Sequence, residues 1–315
     1  MIMNDATADP SDRPARRAAV IFNPTKISDG LRDLIEDGCR AAGWVEPVWL
    51  ETTADDPGRR MAEQARADGA DLVMAAGGDG TVRAVAATLA DSGIPLAIIP
   101  QGTGNLLARN LGIPLQDKAA VDVALHGADN RFDIVGITTD AATDPDRFAV
   151  MAGIGLDAAI MSNTDDGLKD KIGSLAYVVA AARELGRRPR TMTVTVDDGK
   201  PLRRKAMICL VGNVGAIQGD VQLIPDARPD DGRLDVVIVA SPSRLRHWLA
   251  VLAHLITRRP ENEGIDRLTG RRVVIELDEP DDYELDGDTI GRCRRLVAEI
   301  EPGALTVRVP SPPEE

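Results

Sequence analysis

Asp71-Leu72-Val73-Met74-Ala75-Ala76-Gly77-Gly78-Asp79-Gly80-Thr81 is a short apolar run that breaks into a glycine-rich turn. The run has the length and composition of a strand buried on both faces, and helical spacing over 81–89 starts directly behind the turn. Gly77, Gly78 and Gly80 let backbone N–H groups approach an anion with no β-carbon in the way. The helix N-terminus behind them adds positive partial charge. The turn therefore reads as a phosphate cradle. Asp79 inside it would repel a phosphate unless a divalent cation such as Mg²⁺ bridges the two. No Lys-Ser/Thr follows, so this is not a Walker A loop; a plain βα turn capped by an aspartate is the bland alternative.

Outward from this turn the same alternation recurs. Strands are predicted at 18–22 (ended by Asn23-Pro24), 45–50 and 95–99, with helical spacing over 31–42, 58–68 and 106–111. Strands alternating with helices predict a parallel sheet covered on both faces, with ligands at the carboxyl ends of its strands. A second glycine turn, Pro100-Gln101-Gly102-Thr103-Gly104-Asn105, falls at such an end. Alone, Gly102-x-Gly104-x-x-x-Ala108 is a weak dinucleotide fingerprint, and Asp122, the acidic residue downstream, lies in a helical pattern rather than at a strand end. Gly153-x-Gly155-x-x-Ala158 reads as a packed turn.

From about residue 131 the texture changes. Residues 132–138 and 148–152 suggest a hairpin around a polar 140–146 loop, and 191–196 alternates strictly up to Asp197-Asp198-Gly199. Further strands are predicted at 207–211, 234–239, 272–277 and 305–309, with helices at 175–185 and 243–258. This pattern predicts a mostly antiparallel second domain. The chain accordingly divides into a disordered tail (1–17), an α/β nucleotide-binding domain (18–128), a β-rich substrate domain (129–303), and a terminal strand returning to the first domain before a short tail (304–315).

The 315 residues carry a net charge of −13, which argues against nucleic-acid binding, since that needs a basic surface to displace counterions. Cys39, Cys209 and Cys293 form no metal-ligand or disulfide pattern, as expected in a reducing cytoplasm. The first residues lack a signal-peptide core, and the longest apolar stretch, 248–256, is too short to span a bilayer. His126, His247 and His254 lie on helical segments away from the glycine turns.

Phe22-Asn23-Pro24, Gly77-Gly78-Asp79-Gly80-Thr81 and Pro100-Gln101-Gly102-Thr103-Gly104-Asn105, at these spacings, resemble the diacylglycerol kinase catalytic-domain family. That family includes bacterial lipid kinases and sphingosine kinases and is more distantly similar to NAD kinases and phosphofructokinases. The resemblance continues through 168–177, Gly212-Asn213, Pro225-Asp226-Ala227, Asp231-Gly232-Arg233-Leu234-Asp235 and Leu285-Asp286-Gly287-Asp288, covering roughly 18–309.

The resemblance implies transfer of the γ-phosphate of ATP to a lipid hydroxyl, of diacylglycerol or a similar lipid. ATP would lie between the domains, against Asn23, Thr53 (or Thr52), Gly77, Gly78, Asp79, Gly80, Thr81, Gly102, Thr103 and Asn105. It implies a structural Mg²⁺ on the Asp231 side chain and the carbonyls of Arg228 and Arg233, where the bare residues read equally as a hairpin turn. The family's general base, a Glu after Asp-Gly, corresponds here to Asp288; Asp79 would be a Mg²⁺–phosphate ligand or second carboxylate, with the two roles exchangeable. This chain departs from the family in carrying Arg83-Ala84 where Asn-Glu is common and Leu106 where many members have Asp. Arg83 would either add positive charge near the phosphate or face solvent, and solvent is the expectation. The alternatives are a kinase of a soluble hydroxyl compound, NAD included, and a non-catalytic nucleotide-binding homologue. The helix expected at 243–258, flanked by arginines, would either lean on the inner membrane face or fill the core. A homodimer is left open.

Overall fold

A computed structural model describes residues 15–155, 189–217, 221–222, 224, 226–240 and 265–312. The helices expected at 175–185 and 243–258, the 168–177 stretch, Pro225 and residues 1–14 of the tail lie outside the described residues.

The first part of the chain alternates as expected: β1 (Ala18–Phe22), α1 (Asp29–Ala41), β2 (Val48–Glu51), α2 (Arg59–Ala67), β3 (Leu72–Gly77), α3 (Asp79–Leu89), β4 (Leu96–Pro100), α4 (Leu106–Asn110) and α5 (Asp117–His126). The strands pair in parallel in the order β2-β1-β3-β4. β1 and β3 are buried at every position because helices cover both faces. Ala18, Val20 and Phe22 pack with Leu31, Ile35 and Cys39 of α1 and with Ala120 and Ala124 of α5. Their neighbours Ala19 and Ile21 point the other way, onto Ala62 and Ala65 of α2 and Val85 and Leu89 of α3.

Some boundaries differ from expectation. β2 starts at Val48 rather than residue 45, since Pro47 has no N–H to give a ladder. Helix α3 starts at Asp79 rather than residue 81, so Asp79 and Gly80 belong to its first turn. Arg16 and Arg17, read as the end of a tail, are tied down: the Arg16 guanidinium stacks 4.4 Å from the Trp44 ring and the Arg17 N–H donates to Asp71 at 2.8 Å.

The remaining strands are β5 (Ala128–Thr139), β6 (Asp146–Phe148), β7 (Met151–Ile154), β8 (Arg190–Val196), β9 (Leu202–Gly212), β10 (Ala216–Ile217), β11 (Val221–Gln222), β12 (Leu234–Ala240), β13 (Ile265–Gly270), β14 (Arg272–Leu285) and β15 (Asp288–Val309). Their pairings are antiparallel, and their inward residues, among them Val135, Phe148, Val194, Val211, Ile238 and Ile275, form a separate core. The expected hairpin is modified. β6 pairs with β5, but the chain then breaks, and β7 joins β9 and β14 instead. The break falls where the N–H groups of Ala149 and Val150 go to the carboxylate of Asp286.

β15 joins the two parts. It runs antiparallel to β14 and β5, then ends parallel to β4 through Val307 opposite Leu96, so all the described strands except the separate β10–β11 pair share one 13-stranded sheet. The boundary expected after residue 128 falls inside β5, and that expected after 303 falls inside β15, at a bulge between Glu301 and Leu305.

Candidate active site

Adjacent parallel strands bring their carboxyl ends together, so the turns after β3 and β4 lie side by side, with Gly77 opposite Pro100. Contact between them is backbone to backbone: a β-carbon on Gly102 would stand 2.7 Å from the Gly78 Cα. Asp79 fastens the second turn to the first. Its Oδ2 accepts the Asn105 N–H at 2.9 Å and its Oδ1 the Leu106 N–H at 2.6 Å, which caps α4 from outside the helix. Burial pushes the Asp79 carboxyl up, the Leu106 and Asn105 N–H groups pull it down, and the charge of Asp288 adds to the rise. Asn105, at φ 48°, folds its amide back on Gly102, accepting at 2.8 Å and donating at 2.8 Å.

A cleft of about 950 Å³ opens over these turns. Of the residues expected to hold a nucleotide, Asn23, Thr53, Gly78, Asp79, Gly80, Thr81, Gly102 and Thr103 line it, and Thr52 does so as well. Gly77 and Asn105 do not: Gly77 lies beneath the Thr81 side chain, and Asn105 is spent on its own turn. Asn23 Oδ1 accepts from the N–H and hydroxyl of Thr25 at 3.0 and 2.8 Å, which folds the loop after β1. This brings in a residue sequence reasoning missed. The Lys26 ammonium lies 3.0 Å from where a Gly78 β-carbon would stand, which puts a basic side chain beside the first glycine turn. Its signal in the sequence was a lysine shortly after Asn-Pro.

The third wall is the β14–β15 hairpin. Leu285 pairs with Asp288 across a two-residue turn in which Asp286 and Gly287 have φ of 49° and 92°. Positive φ at both positions is the type I′ pattern that follows the twist of the strands, and Asp-Gly suits it. Asp286 is only 4% exposed, and its carboxylate accepts the N–H groups of Ala149, Val150 and Met151 at 3.0, 2.9 and 2.9 Å. Burial pushes its carboxyl up to about 6, against those N–H groups and the nearby Arg83 charge. With the turn so fixed, Asp288 projects into the cleft, its side chain 51% exposed and its Oδ2 2.9 Å from where a β-carbon of Gly80 would be. The two expected catalytic carboxylates thus face one cleft in different states: Asp79 engaged by backbone donors, Asp288 open.

Arg83 does not face solvent as expected. Its side chain is 12% exposed, because β6 and the hairpin tip cover this side of α3. Its Nη1 donates to Asp146 Oδ2 at 2.9 Å and its Nη2 lies 3.8 Å from Asp288 Oδ2.

The expected metal residues stand apart from the cleft, on the turn leading into β12. Asp231 Oδ1 accepts the Arg233 N–H at 2.9 Å, and the Arg228 side chain reaches Asp230 at 3.4 Å. Buried Asp133 holds the turn, accepting the N–H groups of Gly232 and Gly303 at 2.7 Å each. Burial, with the charges of Asp231 and Asp226, raises the Asp235 carboxyl against its Thr269 hydrogen bond. No cluster of three or more His, Cys, Asp or Glu side chains suited to a metal occurs among the described residues. The turn carries two carboxylates, Asp230 beside the Arg228 guanidinium and Asp231 on the Arg233 N–H, and is not an all-carboxylate cage.

Comparison with known proteins gives consistent matches. Residues 17–137 match the model of the diacylglycerol kinase catalytic domain, and residues 150–309 that of the YegS C-terminal NAD kinase beta sandwich-like domain. A Pseudomonas fluorescens protein named "Probable lipid kinase YegS-like" is 30% identical over 304 residues, covering 94% of this chain and 96% of that one. A diacylglycerol kinase of Mycobacterium tuberculosis is 32% identical over 190 residues, 60% of this chain and 61% of that one. The crystal structure of a Bacillus anthracis diacylglycerol kinase matches with a TM-score of 0.73 at 25% identity, over 93% of this chain and 97% of that one.

Proposed function

The chain belongs to the diacylglycerol kinase catalytic-domain family, and from that premise we propose that it is an ATP-dependent lipid kinase acting on the hydroxyl of diacylglycerol or a similar lipid. The observation that carries this is the open carboxylate of Asp288 in the same cleft as the paired glycine turns.

On this reading the phosphates of ATP lie over Gly78–Thr81 and Gly102–Thr103, bound by backbone N–H groups, the N-terminus of α3 and the Lys26 ammonium. Thr52, Thr53, Ala54 and Pro57, at the other side of the cleft, would hold the nucleoside. Asp288 is the general base. The lipid oxygen bonds to the γ-phosphorus, the bond to the ADP oxygen breaks, and the hydroxyl proton passes to the Asp288 carboxylate. Asp79 keeps the two glycine turns in register, a positioning task its two N–H donors support better than the role of base.

Mg²⁺ bound with ATP supplies neutralisation of phosphate charge. The residues that would hold a second, structural Mg²⁺ are Asp231 and the carbonyls of Arg228 and Arg233; the acidic surroundings of Asp235 support that placement. The division into a nucleotide-binding part (18–128) and a substrate part (129–303) belongs to the same proposal, as does contact with a membrane surface to reach the lipid. None of the described helices is long and apolar enough to cross a membrane.

Incubation with labelled ATP and Mg²⁺ against diacylglycerol, a sphingoid base, NAD and polyols tests the reading. Label is expected in the lipid, and to be lost with Asp288→Asn. Transfer to NAD or a polyol instead, or nucleotide binding with no transfer at all, would replace it.

A further inference from the structure

Resting on the reading of Asp288 as the base, we propose that Arg83 is the residue that positions its carboxylate, and that Asp146 holds Arg83 for this task. The turn at Asp286-Gly287 fixes the backbone of Asp288 but leaves its side chain half in solvent. A short carboxylate in that situation exchanges rotamers freely unless something selects one. Two features do so. Gly80 leaves a socket over the first turn of α3 that Oδ2 occupies, and Arg83, on the next turn of the same helix, presents Nη2 to that same oxygen at 3.8 Å. Among the described residues Arg83 is the cation within ion-pair reach of Asp288.

The guanidinium is itself held from the side of Asp146. Nη1 donates to Asp146 Oδ2 at 2.9 Å, while Asp146 Oδ1 accepts the Arg147 N–H at 2.8 Å and lies 3.8 Å from Arg59. Asp146 is thus anchored from β6 and from the start of α2, and its grip turns the other edge of the guanidinium toward Asp288. Among the described residues Nε of Arg83 is buried and has no hydrogen-bond partner. Its geometry makes sense if the plane of the guanidinium is set by the two carboxylates it spans. The same contact ties the nucleotide-binding helix α3 to the hairpin that carries the base, so the base and the phosphate cradle move together.

The test is a set of steady-state measurements on the full chain with ATP and diacylglycerol in mixed micelles. Arg83→Gln is expected to lower kcat on the order of 10- to 100-fold, the scale of a misplaced reacting group, with KM for ATP changed less than about twofold. Arg83→Lys should recover part of the loss, and Asp146→Asn should reproduce part of it from outside the cleft. In Asp288→Asn the Arg83→Gln change should have no further effect. Wild-type kcat in Arg83→Gln, or a double variant showing the product of the two single losses, overturns the proposal while leaving Asp288 as base. Full turnover in Asp288→Asn removes the base itself, a different outcome. The same cycle read in thermal unfolding needs no acceptor: the two substitutions should be non-additive there, and strict additivity would remove the contact.

Discussion

The carboxylate of Asp288 occupies the space a side chain on Gly80 would need, with Oδ2 2.9 Å from the position of the absent β-carbon. Gly80 lies in the first turn of α3, so alanine there suits the helix better than glycine by up to about 1 kcal/mol. What must move is the end of a half-exposed side chain, which swings into solvent at little cost. Gly80→Ala is therefore expected to keep or raise the thermal midpoint while lowering kcat about tenfold or more. A fall in both together would mean that the glycine serves the fold and not the carboxylate.

Asp79 and Asp288 should separate in the opposite sense. Asp79 takes two backbone N–H groups that its removal would strand, so Asp79→Ala should cost about 2–4 kcal/mol in denaturant unfolding and raise KM for ATP. Asp288→Asn should leave stability within about 0.5 kcal/mol and lower kcat by about 10²-fold or more. If the two variants showed the same profile, the division of labour drawn here would be wrong.

Gly102→Ala meets main chain, not a flexible side chain: its β-carbon would lie 2.7 Å from the Gly78 Cα. Neither turn can retreat, since Gly77 O accepts the Gln101 N–H at 2.9 Å and Asp79 fastens the far end. The expected loss is about 1–3 kcal/mol, read by urea unfolding, together with weaker nucleotide binding. Unchanged stability with unchanged ATP affinity would show that the turns are looser than their contact implies.

The parallel sheet was legible because β1, β3 and β4 are covered on both faces and so read as unbroken apolar runs. The start of α3 was not, since Gly-Asp-Gly has the composition of a loop although the helix begins at Asp79. Arg83 was misread for a related reason. Helical spacing tells which residues share a face, but the strands covering that face, β6 and the hairpin, come far later in the chain. Asp286 shows the same limit: Asp-Gly announces a tight turn, while the N–H groups its carboxylate serves belong to Ala149, Val150 and Met151. Among the cleft residues the glycine turns were legible by their own pattern, Asn23, Thr53 and Asp288 only through the family resemblance, and Lys26 by neither.

The buried carboxylate of Asp286 also predicts how stability varies with pH. Burial raises its pKa from 3.8 to about 6, outweighing the N–H groups of Ala149 and Met151, the charge of Arg83 and the N–H of Val150. The folded chain therefore binds this proton more tightly than the unfolded chain does. Between those two values it carries more of the proton, and stability must fall as pH rises through that window. The contribution is fully present below about pH 4 and gone above about pH 6, with a size of at most about 3 kcal/mol. Other carboxylates titrate in the same range, so the comparison to make is with Asp286→Asn, in which only this group is silenced. The stability of wild type minus that of the variant, from urea unfolding at pH 4, 5, 6 and 7, should shrink as pH rises and level off near neutrality. A difference that grew with pH would mean that the three N–H groups and Arg83 outweigh burial. In that case Asp286 would hold the hairpin tip through its charge, and the turn carrying Asp288 would loosen in acid rather than tighten.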